Sequence, residues 1–182
     1  MFPNLRNPEH ANVRLKNVGR QVYLCVKKDG KGNSVLGTKT IDQTIDPDVD
    51  FSLYYYTSAE AGETKMVLPV HQTTFICLSM TADKKLEKSS LRDMSVNANE
   101  MDGMIEDPMR FTTADSRFFY IKTLGSDCAL EAMNGVHGQH YLSVNEMNEL
   151  DIQEHNNTNF PEELLFSIED LDSNNVFISS EM

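Results

Sequence analysis

The chain has no tryptophan. Sugar-binding sites commonly stack their ligand on that ring, so its absence counts against a carbohydrate-binding module. Basic residues are scarce as well: 16 Lys and Arg stand against 28 Asp and Glu, giving a net charge of −12 and a pI of about 4.7. A surface of that sign is repelled by phosphate backbones and anionic lipid, and it argues against heparin-binding growth factors, which need clustered Lys and Arg. Either the acidity serves solubility alone or the expected partner is a basic protein surface; a nucleic-acid partner and membrane insertion are not expected. Cysteine is limited to Cys25, Cys77 and Cys128. An odd count in apolar, strand-like surroundings argues against a disulfide framework and points to buried free thiols and folding in a reducing compartment. No run reaches the roughly 18 apolar residues that span a bilayer. The first residues, MFPNLRNPEHANVRLKN, carry no apolar core of a secretory signal, so synthesis in the cytoplasm without a leader is expected.

Helical periodicity is also nearly missing. The segment 83–93 comes closest, and Ser89-Ser90 interrupts it. Apolar residues recur instead with the strand period of two, in short runs separated by turn residues such as Asp29-Gly30, Ala61-Gly62 and Asn134-Gly135. Three segments share one pattern of aromatic, aliphatic, small and aliphatic residues: Tyr23-Leu24-Cys25-Val26, Phe75-Ile76-Cys77-Leu78 and Tyr141-Leu142-Ser143-Val144. A second trio follows them at Phe51 to Tyr54, Phe118 to Ile121 and Leu165 to Ile168. A third precedes them at Val13 to Leu15, Met66 to Leu68 and Ala129 to Glu131. Weaker strands at Val35 to Ile41, Leu86 to Ser90 and Leu150 to Gln153 complete the set.

The pattern predicts an all-β chain of twelve strands in three pseudo-repeats, closed into a barrel and capped by hairpins. Residues 1–182 form one domain, with 1–11 as a flexible arm and 91–110 as a long surface loop. Leu24, Val26, Phe51, Leu53, Ile76, Leu78, Phe119, Ile121, Leu142, Val144, Phe166 and Ile168 hold equivalent places and are the expected core. Cys25 and Cys77 are likewise equivalent, too far apart around such a barrel to be bridged.

With these strands placed, the chain resembles the interleukin-1 cytokine family over roughly Val13 to Asp170. The resemblance rests on Val49-Asp50-Phe51-Ser52-Leu53, Lys65-Met66-Val67-Leu68, Thr74-Phe75-Ile76-Cys77-Leu78-Ser79 with Ala82 to Glu87, and Phe118-Phe119. Ala129-Leu130-Glu131-Ala132, Tyr141 to Val144 and Leu165 to Ile168 continue it. The family's Pro-Gly turn is Asn134-Gly135 here, without the Pro. The resemblance implies a β-trefoil, leaderless release to the extracellular space, and a monomer that recruits a primary receptor and an accessory chain, both with immunoglobulin domains. It implies no catalysis, no cofactor and no metal. Receptor antagonists share the same fold. A Kunitz-type trefoil protease inhibitor is a further alternative, although it normally carries paired cysteines.

Recognition by a closed barrel falls to loops and outward strand faces. The receptor-binding candidates are Arg14, Lys16, Lys28, Asp29, Lys31 and Asn33 on the first strand and hairpin, with Asp46, Asp48, Glu60 and Glu63 in acidic loops. Other local motifs carry less. Asp170-x-Asp172-x-Asn174 with Glu181 matches calcium-loop ligand spacing, but the turn position holds Asn175 instead of Gly and the preceding segment is strand-like. His137-x-x-His140 lies in a turn without further ligands at suitable spacing. Gly30-Lys31-Gly32-Asn33-Ser34 lacks phosphate-loop spacing and reads as a hairpin turn. The Asn156-Asn157-Thr158 sequon is expected to stay unmodified on a leaderless route.

Overall fold

The structure is a computed structural model that describes residues 9–57, 64–90, 117–132, 139–172 and 176–177. Among them a 13-stranded sheet holds almost all the regular structure. Its strands are β1 (Glu9–Asn17), β2 (Val22–Lys28), β3 (Ser34–Lys39), β4 (Phe51–Thr57), β5 (Thr64–His71), β6 (Ile76–Met80) and β7 (Leu86–Ser90). They continue with β8 (Phe119–Leu124), β9 (Asp127–Ala132), β10 (His140–Val144), β11 (Leu150–Glu154), β12 (Leu165–Asp170) and β13 (Val176–Phe177).

Six strands close a ring. β1 pairs β4, β4 pairs β5, β5 pairs β8, β8 pairs β9, β9 pairs β12, and β12 returns to β1, all antiparallel. Closure removes the unpaired edges that an open sheet would expose. Three hairpins, β2–β3, β6–β7 and β10–β11, extend from this ring. Their outer strands β3, β7 and β11 touch one another. Leu36, Leu86, Leu150 and Ile152 from those strands pack onto the core and seal one end of the barrel. The architecture is all-β and trefoil-like. The two-residue β13, which pairs β12, was not expected from the sequence.

All twelve expected core residues are buried in one cluster. Strand alternation explains why: in β4, Phe51 and Leu53 point inward at 0% exposure, while the alternate residues Ser52 and Tyr54 are half-buried. Among the described residues, buried His140 Nδ1 and His155 Nε2 have no hydrogen-bond partner, but the Glu131 carboxylate inside the fold is matched. The Glu131 carboxylate accepts from the Lys122 ammonium at 3.0 Å and from the Tyr141 hydroxyl at 3.0 Å, tying β8, β9 and β10 together.

The three hairpin turns share one construction. Asp29, Thr81 and Asn145 each accept backbone N–H bonds on a side-chain oxygen, from Lys31 and Asn33, from Lys85, and from Met147 and Glu149 respectively. Three residues on, Gly32, Lys84 and Asn148 carry a positive φ of 80°, 62° and 59°. Short polar side chains that satisfy local N–H groups are the usual way to hold such turns. The stretch at 86–90 is strand β7, and residues 91–110, the expected long loop, lie outside the described residues. Glu9, His10 and Ala11, read from sequence as part of a flexible arm, instead pair with Tyr55, Tyr54 and Leu53 of β4, and residues 1–8 lie outside the described residues.

Candidate functional site: the loop between β3 and β4

Residues 40–50 connect β3 to β4, and three distant parts of the chain fasten them. From β1, Arg14 donates Nε to Asp50 Oδ1 at 2.8 Å and Nη2 to the Thr44 carbonyl at 2.8 Å. At the end of β3, Lys39 Nζ lies 2.9 Å from Asp46 Oδ2 and 3.2 Å from Asp48 Oδ2. From β5, the buried His71 ring lies 3.1 Å and 3.0 Å, through Nε2, from the carbonyls of Pro47 and Asp48. Carbonyls only accept, so Nε2 carries the proton, and Nδ1 accepts from the Thr74 hydroxyl at 2.8 Å. The loop adds its own support. Asp46 caps a single 3-10 turn, Pro47–Val49, by accepting from the Asp48 N–H, and Val49 plugs the turn into the interior at 0% exposure.

Electrostatics follow from this geometry. The hydrogen bond to Asp46 raises the Lys39 ammonium pKa. Burial acts to raise the Asp46 carboxyl, but the Lys39 ammonium and the Asp48 N–H outweigh it and hold it below the ordinary carboxylate range. Burial lowers the His71 pKa below 6.5 although the carbonyls of Asp48 and Pro47 favour its charged form. A neutral His71 therefore belongs to the folded loop, and the unfolded chain takes up its proton first as pH falls. The stabilisation is complete above the unfolded value of 6.5, declines below it, and is gone once the folded-state pKa is passed. Wild-type protein should lose more melting temperature than His71→Gln when both are scanned from about pH 8 to about pH 5. Parallel scans would remove His71 from this role.

One side chain on this fastened loop has no use inside the fold. Ile45 is 82% exposed, beside a shallow cleft of about 400 Å³ lined by Lys39, Asp42, Gln43 and Asp48. An aliphatic tip within an acidic rim, on a loop already held in place, could contact another molecule at low ordering cost.

The sequence-derived candidates divide between two places. Arg14, expected to be exposed, is buried at 8%. Its strand is hydrogen-bonded on both sides, by β4 and β12, and the 40–50 loop covers its outward face. Asp46 is mostly covered as well, at 15% side-chain exposure, and Asp48 keeps 43%. Arg14, Asp46 and Asp48 thus position the site, with Asp48 also on its surface. Lys16 is half-buried, its ammonium 5.5 Å from the centre of the Tyr23 ring. Lys28, Asp29, Lys31 and Asn33 are exposed on the β2–β3 hairpin, at the other end of β3 from Lys39. Glu60 and Glu63 lie outside the described residues. Sequence reading missed Ile45, Lys39, Asp50 and His71. Only Ile45 left a local signal, as a lone aliphatic in the polar turn segment Asp42-Gln43-Thr44-Ile45-Asp46-Pro47-Asp48.

The thiols offer no reactive centre. Cys25, Cys77 and Cys128 are free and buried, and burial pushes their pKa values up to about 11, 12 and 12, so they stay protonated at neutral pH. Among the described residues no group of three or more His, Cys, Asp or Glu is placed to hold a metal ion, and no helix is long and apolar enough to cross a membrane. In the motif that resembles a calcium loop, Asp170 instead accepts from the Asp172 N–H, and Asp172 accepts from Asn12.

No protein-family model matches the chain, and no curated protein matches it. Solved structures do. A GlcNAcα1-4Gal-releasing endo-β-galactosidase from Clostridium perfringens superposes with a TM-score of 0.58 at 11% identity, over 87% of this chain and 32% of the enzyme. This chain thus spans about a third of that protein. The BEL β-trefoil superposes with a TM-score of 0.55 at 9% identity, over 93% of this chain and 99% of that one. An SDF2-like protein from Arabidopsis thaliana gives 0.50 at 9% identity, over 91% and 93%. At such identities the likeness is one of fold alone.

Proposed function

We propose that the chain is a β-trefoil of three four-strand units and acts as a cytokine of the interleukin-1 type. It is recognised by immunoglobulin-domain receptor chains. The matching turns of the three hairpins and the burial of the equivalent residues favour the three-unit reading. The observation that carries the functional reading is Ile45, 82% exposed on a loop fastened from β1, β3 and β5. A protruding aliphatic residue ringed by Asp42, Asp46 and Asp48 suits a protein pocket with a basic rim better than a sugar or a small substrate. The buried, protonated thiols agree with folding in a reducing compartment.

Surface plasmon resonance against a panel of interleukin-1-family receptor ectodomains tests this. Ile45→Asp should weaken binding about tenfold or more, chiefly through faster dissociation. Asp48→Lys should slow association and flatten its salt dependence. A wild-type chain that binds no ectodomain in the panel would dismiss the cytokine reading. Binding untouched by both substitutions would move the contact away from this loop.

A further inference from the structure

The net charge of −12 hides a local surface of the opposite sign. The β2–β3 hairpin carries Lys27-Lys28-Asp29-Gly30-Lys31 and the β6–β7 hairpin carries Lys84-Lys85-Leu86-Glu87-Lys88, the same Lys-Lys-x-x-Lys spacing. These six lysines are a large share of the chain's 16 basic residues. The fold brings the two hairpins side by side. Lys28 Nζ donates to Ser34 Oγ at 2.9 Å and Lys88 Nζ donates to the Ser34 carbonyl at 2.8 Å, so ammonium groups from different hairpins converge on one residue. Lys27 Nζ donates to the Thr38 carbonyl at 3.3 Å, and Lys27 and Lys88 line the same open cleft of about 580 Å³.

These lysines lack what cations elsewhere in the chain have. Arg14, Lys39 and Lys122 each sit against a carboxylate. Among the described residues, Lys27, Lys28 and Lys88 donate to hydroxyl and carbonyl oxygens, and the Lys88 ammonium acts on the Asp29 carboxylate only through space. Asp29, the nearest acid on the hairpin tip, is occupied. It accepts from the N–H groups of Asn33 and Lys31, which hold its carboxyl below the ordinary range. Glu87 and Glu149 also border the cleft. They offset part of the charge without pairing with the ammonium groups.

We propose that this hairpin face binds a sulfated glycan, with Lys27, Lys28 and Lys88 as the central contacts and Lys31, Lys84 and Lys85 around them. The composition of the patch favours such a ligand. It is all lysine, and ammonium groups act as point charges that suit dispersed sulfates, whereas recognition of a carboxylate or phosphate fork favours arginine. The cleft beside it is lined by Asn148, whose side-chain amide can bond sugar hydroxyls, and by Thr38, whose hydroxyl donates to the Asn148 carbonyl and keeps only its acceptor capacity. Repulsion from the acidic remainder of the surface fades beyond a Debye length of about 8 Å at physiological salt, so a local patch can act on its own. Lys28 and Lys88 meet at Ser34, the opposite end of β3 from Lys39 and the Ile45 loop, while Lys27 reaches along the strand to Thr38.

Isothermal titration with a fully sulfated heparin octasaccharide, on the full chain at two salt concentrations, tests the proposal. Binding is expected, and Lys27→Gln/Lys28→Gln/Lys88→Gln should weaken it about tenfold or more and shallow the log–log salt slope by about one unit per lysine removed. Thermal melting checks that the variant remains folded, and Ile45→Asp should bind the octasaccharide like wild type. A desulfated octasaccharide should not bind. Absence of binding, affinity unchanged in the triple variant, or equal affinity for single-stranded DNA of matched charge would overturn it. Tighter binding of a poly-glutamate peptide than of the octasaccharide would also overturn it and assign the patch to an acidic protein surface.

Discussion

Phe119→Ala should lower the unfolding free energy by about 3–5 kcal/mol. Phe119 is 0% exposed, and its strand β8 bridges β5 and β9, with Phe119 opposite Val67 on one side and Ala132 on the other. Six closed strands leave little freedom to collapse into the space a missing ring creates. The cavity cost therefore adds almost fully to the lost burial. Phe166→Ala should behave alike, since Phe166 is also 0% exposed and lies opposite Asn17 of β1 and Cys128 of β9. Phe160→Ala serves as the control. That ring packs on Tyr141 and His155 in a satellite cluster and is only half-buried, so its loss should cost clearly less. Equilibrium denaturation in urea measures all three. Equal costs for Phe119 and Phe160 would contradict the closed barrel as the centre of stability.

The barrel was legible because a sheet with one buried face writes itself into sequence with period two. A one-residue error would have turned Leu24, Val26, Phe51 and Leu53 outward, and all four are inside. The repeated aromatic–aliphatic segments added strand order to that signal. The site was much less legible. The 40–50 loop is held by Arg14, Lys39 and His71, which are far apart in sequence and meet only after β1, β3 and β5 are placed. Polarity alone assigned Arg14 to the surface, because single-residue character carries no information about a loop that later folds across it. Net charge is silent in a similar way about where the charges gather. The two Lys-Lys-x-x-Lys segments are visible separately, but the convergence of Lys28 and Lys88 on Ser34 is tertiary. A whole-chain total of −12 averages it away.

Arg14→Ala is the substitution that separates folding from recognition at the candidate site. It removes two donated hydrogen bonds, to Asp50 and to the Thr44 carbonyl, and leaves Asp50 without its guanidinium. Breaking a fully buried ion pair costs about 3–5 kcal/mol. The side chains here keep 9% and 22% exposure, and water reaching Asp50 should reduce the cost to about 2–3 kcal/mol. Two features distinguish this from generic destabilisation. The loss should persist at high salt, because a covered pair is poorly screened, whereas disrupting the more exposed Lys39–Asp48 contact should matter less as salt rises. A double-mutant cycle with Asp50→Asn should return a coupling of about 1–3 kcal/mol, since each partner's main role is to hold the other. The functional effect follows from the same bonds. Thr44 precedes Ile45, so losing its anchor frees the exposed side chain, and the proposed receptor would then have to order it at an added entropic cost. Arg14→Ala should therefore weaken receptor binding about tenfold at a temperature where the variant is fully folded, although Arg14 itself is buried. Arg14→Lys should rescue little, because one ammonium cannot reproduce the guanidinium's bonds to both Asp50 and Thr44. Full receptor affinity in a folded Arg14→Ala protein would show that the loop needs no anchor from β1 to present Ile45.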